Sequence, residues 1–489
     1  MFLCFLMPNG HIISAVFILP FPQHLLLLHC IGSAVAMEFP STFNQQAQPS
    51  LTVKALAMDI SELYNIFKEH PVVTTDSRDC PNGSIFFALK GASFNGNAFA
   101  AKALEQGCSY AVIDEQQYVV ANDTRYILTD NCLHTLQQLA NYHRRALGTT
   151  VIGVTGTNGK TTTKELISAV LTEKYNVLYT QGNFNNDIGV PKTLLRLKSE
   201  HQIAVVEMGA SHPGDIKTLV DIVEPDYGII TNVGMAHLQG FGSFEGVVRT
   251  KGELYDYLRT KHATIFIHNE NPYLMGMSNG LALVKYGTND ADDLCADGQL
   301  EACAPYLTFK WRHGASQWHH IQTHLIGSYN IYNMLAAACI GLYFKVSMEQ
   351  IDHALSHYVP TNNRSELETT PDNKLIIDAY NANPTSMNAA LTNFKGMAVS
   401  HKMVILGDMK ELGEVSQAEH QKVVDFLKDA DFEHVWLVGS EFKKTDCDFR
   451  KFDNVEEVKA AIAENQPKGY YILIKGSNST KLYLLKDLL

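Results

Sequence analysis

A strand, a glycine turn and the start of a helix follow one another between residues 151 and 165, and this order limits the possible folds. Residues 151–154 form the short, mostly apolar run that a buried parallel strand needs. Gly156 and Gly159 permit a tight turn whose backbone N–H groups point inward. We therefore predict a phosphate-binding loop, followed by a helix over about 161–173.

The polar side chains of this loop match the chemistry of nucleotide phosphates. Lys160 can reach the β- and γ-phosphates, and the hydroxyl of Thr161 can bind Mg²⁺. The consensus G-x-x-x-x-G-K-[ST] is not met, because Val154 stands where its first glycine belongs. The form present, T-G-x-x-G-K-T-T, keeps every chemical group and predicts binding of ATP or GTP. The predicted contacts are Gly156, Thr157, Asn158, Gly159, Lys160, Thr161 and Thr162.

Length and composition predict several folded domains and argue against a nucleic-acid surface. A chain of 489 residues is too long for one ordinary core, so roughly three domains are expected. The net charge of −12 argues against nucleic-acid binding. The nine cysteines form no C-x-x-C pair, which predicts free thiols in a reducing cytoplasm.

Residues 1–57 differ from the rest of the chain. No Lys or Arg precedes Lys54, and prolines interrupt the apolar clusters. No clean run of about twenty apolar residues supports a membrane-spanning helix, so stable membrane insertion is not expected. We interpret 1–57 as a non-native extension and place the start of the functional protein near Met58. A targeting segment is the alternative interpretation.

From Met58 onward, alternating strand and helix signals predict an α/β fold of three domains. Residues 58–147 form a small α/β domain. Residues 148–360 form a central P-loop ATPase domain with a mostly parallel sheet. Residues 361–489 form a C-terminal Rossmann-like domain.

Polar residues at strand ends are candidates for the metal and substrate contacts. Glu207 ends an apolar strand, and a carboxylate at that edge, one strand from a phosphate loop, is where Mg²⁺ is usually held. His237 lies just beyond the next strand, which favours ligand or substrate contact over a structural histidine. Asn185 and Asn186 belong to a polar loop at 180–191 that predicts substrate contact.

Two further pairs allow alternative interpretations. Asn330 and Asn333 are three residues apart on one helix face, where they could contact adenine, or Asn330 could cap the helix. Ser77 and Arg78 at a strand end could contact a diphosphate or form an ordinary surface turn.

A histidine-rich strand follows a predicted hairpin turn at 313–314. His319, His320 and His324 could form a metal cluster, but adjacent strand residues point to opposite faces of a sheet. We therefore predict an exposed strand without a metal.

These motifs together resemble the Mur ligase family, the ATP-dependent amino-acid and peptide ligases of peptidoglycan synthesis. Three segments resemble the branch that adds D-alanyl-D-alanine, and the resemblance covers residues 58–489. The family motifs are T-G-T-N-G-K-T-T at 155–162, V-E-M-G at 206–209, M-A-H-L at 235–238 and N-x-x-N at 330–333. The branch motifs are G-N-F-N-N-D-I-G-V-P at 182–191, D-A-Y-N-A-N-P at 378–384 and L-G-D-M-K-E-L-G at 406–413.

The resemblance implies a cytoplasmic and monomeric enzyme with ATP and Mg²⁺ as cofactors. Its implied partners are UDP-N-acetylmuramoyl-tripeptide and D-alanyl-D-alanine, joined through an acyl phosphate. The first domain would then bind the UDP-sugar, and the third domain would close over ATP.

The resemblance also implies a role for individual residues. The catalytic set is Lys160, Lys251 and His237. The metal set is Thr161, Glu207 and His237. The nucleotide contacts beyond the loop are Asn333, Arg364 and Asp378, with Tyr380 beside the ribose. The UDP-sugar contacts are Ser77 and Arg78, with Asn185 and Asn186 nearby. Lys251 matches a position that is carbamylated in some members, and an unmodified lysine on a helix surface is the alternative.

Three other functions compete with this interpretation. Two share the fold: the branch that adds diaminopimelate or lysine, and folylpolyglutamate synthase. The segment 406–413 argues against both, and no Asp-Asn-Pro-Arg motif is present. The third is a nucleotide-dependent switch without ligase chemistry. The identity of the third peptide residue of the substrate stays open.

Overall fold

The computed structural model describes residues 58–360, 364 and 366–489, and only the backbone of five short strands before them. The chain divides after residue 56 into two units. The interpretation of residues 1–57 as a non-native extension or targeting segment falls outside the described residues. Among the helices that the structure describes, none combines the length and the apolar character needed to cross a bilayer. The first strands are β1 (Phe2–Leu6), β2 (Ile12–Phe17), β3 (Leu26–Leu27), β4 (Cys30–Ile31) and β5 (Ala34–Val35).

A four-stranded parallel sheet in the order β11-β10-β7-β6 forms the first part of the larger unit. Asp59 caps its first helix by accepting from the Ser61 N–H, and Gly148, with φ 65°, ends its last helix. The helices are α1 (Ile60–Glu69), α2 (Ala100–Glu105) and α3 (Cys132–Leu147), with 3₁₀ turns at Gly96–Phe99 and Gln116–Tyr118. The strands are β6 (Val73–Thr74), β7 (Ile85–Phe87), β8 (Lys90–Gly91), β9 (Phe94–Asn95), β10 (Tyr110–Ile113) and β11 (Tyr126–Leu128).

A nine-stranded sheet forms the centre, in the order β13-β14-β12-β15-β16-β17-β18-β19-β20. Its strands are parallel as far as β18, and the last two pairs are antiparallel. The strands are β12 (Thr150–Thr155), β13 (Val177–Tyr179), β14 (Ile203–Glu207), β15 (Tyr227–Ile230), β16 (Thr264–His268), β17 (Ala282–Gly287), β18 (Leu294–Cys303), β19 (Tyr306–Arg312) and β20 (His319–Ile326). The helices are α4 (Lys160–Thr172), α5 (Gly189–Leu194), α6 (Asp215–Val223), α7 (Leu238–Phe241), α8 (Phe244–Thr260), α9 (Pro272–Met277), α10 (Asn330–Tyr343) and α11 (Met348–His357).

The central sheet has a core on each face, as a buried parallel sheet requires. On β12, Val151 packs into a core that continues through α6 and α8 into the first domain, whereas Ile152 and Val154 pack against α4, α10 and α11. The predicted helix over 161–173 corresponds to α4, within one residue at each end.

A six-stranded sheet in the order β21-β22-β26-β23-β24-β25 completes the fold, and only β21 runs antiparallel. The α/β prediction with mostly parallel sheets is confirmed. The strands are β21 (Glu366–Thr369), β22 (Lys374–Asp378), β23 (Lys402–Gly407), β24 (His434–Val438), β25 (Arg450–Phe452) and β26 (Tyr471–Lys475). The helices are α12 (Pro384–Gly396), α13 (Ser416–Lys428), α14 (Ser440–Lys443) and α15 (Val455–Glu464), with 3₁₀ segments at Gly413–Val415, Asn478–Thr480 and Leu482–Leu488.

The histidine-rich strand is β20, and β19 and β20 form the predicted hairpin. His320 and His324 are exposed. The prediction of an exposed strand is wrong for His319, which is half-buried and lies 2.5 Å from Asp352 Oδ2. Within the described ranges, no group of three or more His, Cys, Asp or Glu side chains could hold a metal.

A buried histidine joins the first domain to the central domain. His143 on α3 is 7% exposed, and its Nε2 lies 3.0 Å from the Leu197 carbonyl. Because a carbonyl only accepts, Nε2 carries the proton and Nδ1 accepts from the Tyr64 hydroxyl at 3.3 Å. Burial lowers the pKa of His143, so the interface is built around a neutral ring.

This neutral ring predicts loss of stability in mild acid. The pKa of His143 is lower in the folded chain than the value of about 6.5 expected in the unfolded chain. Its contribution is therefore complete above that unfolded pKa and is lost as the pH falls below it. Melting temperatures measured across this range should fall in acid and should fall less for His143→Gln. His134→Gln, an exposed site on the same helix, should keep the wild-type slope, and an unchanged slope in His143→Gln would contradict the assignment.

Candidate active site

A cleft of about 1140 Å³ opens between the central domain and the third domain. It lies at the carboxyl ends of the parallel strands β14, β12 and β15, where open α/β sheets bind their ligands. Asn158, Lys160 and Glu207 line it from one side, and Asp378 and Tyr380 line it from the other. The cleft therefore brings the predicted phosphate-loop residues of the central domain together with the predicted nucleotide contacts of the third domain.

The glycine turn between β12 and α4 has the geometry that its sequence predicts. Gly156 has φ 145°, and a Cβ there would lie 2.0 Å from Thr231 Oγ1. Gly159 has φ 75°, and a Cβ there would lie 2.9 Å from Asn333 Oδ1. Both positions therefore require glycine for space as well as for backbone conformation.

Residues after β15 hold the turn in place, and sequence reasoning missed them. Asn232 Oδ1 accepts from the Asn158 N–H at 3.0 Å, and the Asn158 carbonyl accepts from Thr231 Oγ1 at 2.7 Å. The Gly234 N–H donates to Thr157 Oγ1 at 3.0 Å. The available signal was the Thr-Asn pair directly after a buried strand, one strand from the loop.

The side chain of Lys160 folds back onto the backbone of its own loop. Lys160 Nζ donates to the carbonyls of Gly156 at 2.9 Å and Thr157 at 3.1 Å. Burial lowers its pKa to about 8, against the opposing effect of the Glu207 charge. The ammonium thus lies at the mouth of the turn, where bound phosphate oxygens could replace the carbonyls as its partners.

Glu207 places a buried carboxylate at the end of β14, beside the phosphate loop. The residue is 1% exposed, and its Oε1 accepts from Thr161 Oγ1 at 3.2 Å and from Asn185 Nδ2 at 2.7 Å. Oε2 is buried without a hydrogen-bond partner among the described residues. An unpaired buried carboxylate oxygen is costly unless a cation compensates it. The residues therefore fit Mg²⁺, which binds a few protein oxygens and takes its other ligands from water and phosphate.

His237 lies on the cleft in a left-handed conformation with φ 51°. Its Nδ1 contacts Glu411 Oε2 of the third domain, so the contact that the structure shows is not with Glu207. Burial lowers the pKa of His237, while the Glu411 charge opposes that shift. The role of His237 as a metal ligand stays a prediction.

Lys251 is buried in α8, so the alternative of a lysine on the helix surface is wrong. It is 2% exposed, its Nζ lies 3.5 Å from the Ala210 carbonyl, and it sits 5.5 Å from the centre of the Phe241 ring. Burial, reinforced by the charge of Lys160, holds its pKa well below the usual lysine range.

The two asparagines of α10 lie on one face, as predicted. Asn333 Nδ2 donates to Asn330 Oδ1 at 2.7 Å, and Asn333 Oδ1 accepts from Thr163 Oγ1 at 3.0 Å. Asn330 does not cap the helix, because Tyr329 occupies the cap position and Asn330 Nδ2 donates to the Ile326 carbonyl. The capping alternative is therefore wrong, and Asn333 is fixed against the first turn of α4.

The third domain presents a cation and an ion pair to the cleft. The Arg364 guanidinium lies 4.0 Å from the centre of the Tyr380 ring. Asp378 Oδ2 accepts from Lys475 Nζ at 2.5 Å, and Lys475 is 1% exposed. Sequence reasoning assigned no role to Lys475, although it ends a buried strand as Glu207 does.

The predicted substrate residues divide into two groups. Asn185 and Asn186 line the cleft, where Asn185 orients Glu207 and Asn186 Oδ1 accepts from the first N–H of α5 at 2.8 Å. Ser77 and Arg78 are not among the residues that line it. Arg78 is exposed and forms a fork with Asp76 at 2.9 and 2.7 Å. The UDP-sugar contacts stay a prediction.

Comparison with known proteins identifies the family. Residues 71–144 match the model of the Mur ligase family catalytic domain, 154–341 match the Mur ligase middle domain, and 363–478 match the Mur ligase glutamate ligase domain. The chain belongs to the Mur ligase family. It is therefore a ligase enzyme with the three-domain fold of that family.

Similar proteins cover most of the chain. The UDP-N-acetylmuramoyl-tripeptide–D-alanyl-D-alanine ligase of Bacillus subtilis (strain 168) is 35% identical over 432 residues, which cover 85% of this chain and 93% of the relative. The enzyme of the same name from Escherichia coli (strain K12) is 31% identical, over 84% of this chain and 91% of the relative. A crystal structure of MurF from Acinetobacter baumannii is 30% identical with a TM-score of 0.76, over 85% of this chain and 92% of that one.

The geometry of the turn predicts the effect of removing its cation. Lys160→Ala should lower kcat/KM by about 100-fold or more, because the charge that would screen the phosphates is lost. The melting temperature should hold, since the hydrogen bonds of Lys160 within the described part of the chain go to two carbonyls of its own loop. Steady-state phosphate release checks the first expectation, and a melting curve checks the second. If Lys160→Ala folds and keeps wild-type turnover, the loop does not have the role in the reaction that is assigned to it.

Proposed function

We propose that this enzyme joins D-alanyl-D-alanine to the terminal carboxylate of UDP-N-acetylmuramoyl-tripeptide, using ATP, in the cytoplasmic stage of peptidoglycan synthesis. The observation that carries the proposal is the buried Glu207 oxygen that has no hydrogen-bond partner among the described residues, beside the phosphate loop. The relatives of that name, aligned over most of the chain, support the choice of substrates. The enzyme would act as a monomer.

The loop and its neighbours would hold the nucleotide phosphates. The N–H groups from Gly156 to Thr162 and the ammonium of Lys160 would contact the phosphate oxygens. Thr161 and Glu207, with His237 as a further candidate, would hold Mg²⁺, which would neutralise phosphate charge when bound. Because the two reacting groups are both anions, the cations near the cleft reduce the repulsion between them.

The chemistry of the reaction requires an activated carboxylate. The tripeptide carboxylate attacks the γ-phosphorus of ATP and ADP leaves, which gives an acyl phosphate. The dipeptide amine then attacks the carbonyl carbon, and the tetrahedral intermediate expels phosphate as the nitrogen loses its proton. The contribution of the chain is to position both reactants and to screen their charges.

The nucleotide and the UDP-sugar would be shared among three domains, at 58–147, 148–360 and 361–489. Asn333 would contact adenine from the central domain. Arg364 and Asp378 would contact the nucleotide from the third domain, with Tyr380 beside the ribose. Ser77 and Arg78 would contact the UDP-sugar from the first domain. Asn185 and Asn186 would lie near that substrate.

The acceptor requirement distinguishes this function from its alternatives. Phosphate release from ATP with UDP-N-acetylmuramoyl-tripeptide should depend on added D-alanyl-D-alanine. Diaminopimelate, lysine and glutamate, offered with the substrates of their own ligases, should not replace it. Release that ignores the dipeptide would indicate a nucleotide-dependent switch. Release with another acceptor would assign the chain to a different branch.

We also propose that Lys251 is carbamylated in the active enzyme. Its buried amine, with its depressed pKa, could attack CO₂ at carbon and lose a proton to give a carbamate. The negative charge of the carbamate would be attracted by the Lys160 ammonium, whose positive charge lowers the pKa of Lys251 in the structure. With ¹³C-labelled bicarbonate, the wild type should give a carbamate carbon signal that Lys251→Arg lacks. The same signal in both proteins would contradict this assignment.

A further inference from the structure

A lysine with a completely buried side chain lies in the second turn of α4, beyond the phosphate loop. The side chain of Lys164 has an exposed fraction of 0%, although lysines are almost never fully buried unless they are paired. Burial lowers its pKa, while the charges of Glu165 and Glu207 oppose that shift. An apolar side chain would fill the same space without the cost of removing a charge from water. Packing of the core therefore does not explain why a lysine stands here.

The Lys164 ammonium holds the end of β13, where the polar loop at 180–191 begins. Its Nζ donates to the Thr180 carbonyl at 2.7 Å and to Glu165 Oε1 at 3.3 Å. Glu165 also accepts from the Tyr358 hydroxyl. Hydrogen bonds from a charged donor are stronger than neutral ones, and a buried position strengthens them further. The backbone is therefore firmly fixed at the first residue of the loop.

Thr180 connects this lysine with the carboxylate at the end of β14. The Thr180 hydroxyl accepts from the Glu207 N–H at 2.9 Å. Five residues further along, Asn185 Nδ2 donates to Glu207 Oε1 at 2.7 Å, and the Asn185 carbonyl accepts from the Gly209 N–H at 2.7 Å. Residues 181–184, between these two contact points, are all exposed. The position of the loop therefore depends on the hydrogen bonds at Thr180 and Asn185 and not on a core beneath it.

We propose that Lys164 is a positioning residue that acts through Thr180 and holds the polar loop so that Asn185 and Asn186 are presented to the UDP-linked substrate. The inference rests on the proposed function and adds a residue to which the family resemblance gave no role. Lys164 is not among the residues that line the cleft, so its effect on binding passes through the loop. Without the ammonium, the buried Thr180 carbonyl loses its charged donor and the exposed part of the loop gains freedom of movement.

The first experiment follows the loop itself and needs no substrate. Hydrogen–deuterium exchange of the full chain is measured by mass spectrometry for the wild type and for Lys164→Met, which keeps a long side chain and loses the charge. Peptides that cover 180–191 should exchange faster in the variant. Peptides that cover the phosphate loop at 156–160 should exchange as in the wild type, because the Lys164 contacts lie on the other side of α4's first turn.

Lys174 offers a matched control outside the cleft. Its Nζ also donates to a backbone carbonyl, that of Lys345, at 2.7 Å, and it lies 5.4 Å from the centre of the Tyr175 ring. Lys164 Nζ lies at a similar distance, 5.3 Å, from the ring of Tyr179. Lys174→Met should leave the exchange of 180–191 unchanged. Equal effects of the two substitutions on that segment would overturn the proposal.

The second experiment separates the two substrates. Lys164→Met should raise the KM for UDP-N-acetylmuramoyl-tripeptide by about ten-fold or more, because a small displacement of a binding group has a large kinetic effect. The Kd for ADP, measured by calorimetry, should stay at the wild-type value. Lys164→Arg keeps a cation that can reach the Thr180 carbonyl, so it should recover part of the lost affinity. A lysine that only stabilised the fold would change both ligands or neither.

A double variant tests whether Lys164 acts through the loop. Adding Asn185→Ala to Lys164→Met should raise the KM for the UDP-linked substrate by less than the product of the two single effects. Independent effects would contradict the route through the loop. If Lys164→Met melts below the assay temperature, Lys164→Gln, which is shorter and also uncharged, gives the same test.

The two experiments also distinguish a failure of this inference from a failure of the proposed function. Wild-type exchange of 180–191 in Lys164→Met, or equal losses of affinity for ADP and for the UDP-linked substrate, would overturn the role of Lys164. If the loop is released in the variant but the wild type does not turn over the assigned substrates, the proposed function is wrong and the contact that holds the loop is not.

Discussion

The buried Glu207 carboxylate carries a charge that needs a compensating partner, and the rest of the site is arranged around that need. One of its oxygens is bound by Thr161 and Asn185, and the other has no partner in the described part of the chain. The parallel register pairs Glu207 with Val154, so the carboxylate stands beside the point where β12 passes into the loop. A cation bound there would relieve an internal charge and would attract phosphate anions to the loop.

The departure from the phosphate-loop consensus at Val154 has a packing explanation. Val154 is fully buried in the core between the central sheet and α4, where a glycine would leave a void. The strand continues to Thr155, whose hydroxyl donates to the Met208 carbonyl at 2.7 Å. The turn therefore begins at Gly156, and the chain keeps an apolar residue where the consensus has its first glycine.

Local sequence patterns predicted the helices and strands, and they predicted which residues lie together within one helical turn or loop. The α/β order, the helix after the loop and the shared face of the α10 asparagines all follow from spacing of a few residues. Contacts between distant segments could not be predicted, because sheet order and helix packing decide them. Asn232 reaches Asn158 across 74 positions, and Lys475 reaches Asp378 across 97. The burial of Lys251 depends likewise on which face of α8 meets the sheet.

The third domain contacts the phosphate loop through neutral groups. Asn383 Nδ2 donates to Asn158 Oδ1 at 2.8 Å, while Asn383 Oδ1 caps α12 by accepting from the Ser386 N–H. One side chain thus fixes the amino end of a helix against the loop, and that end favours anions. Neutral hydrogen bonds exchange with water at little net cost, so this contact would add little to the resistance against separation of the domains. Closure would then depend on the charge of the bound nucleotide, which both the loop and the α12 end attract.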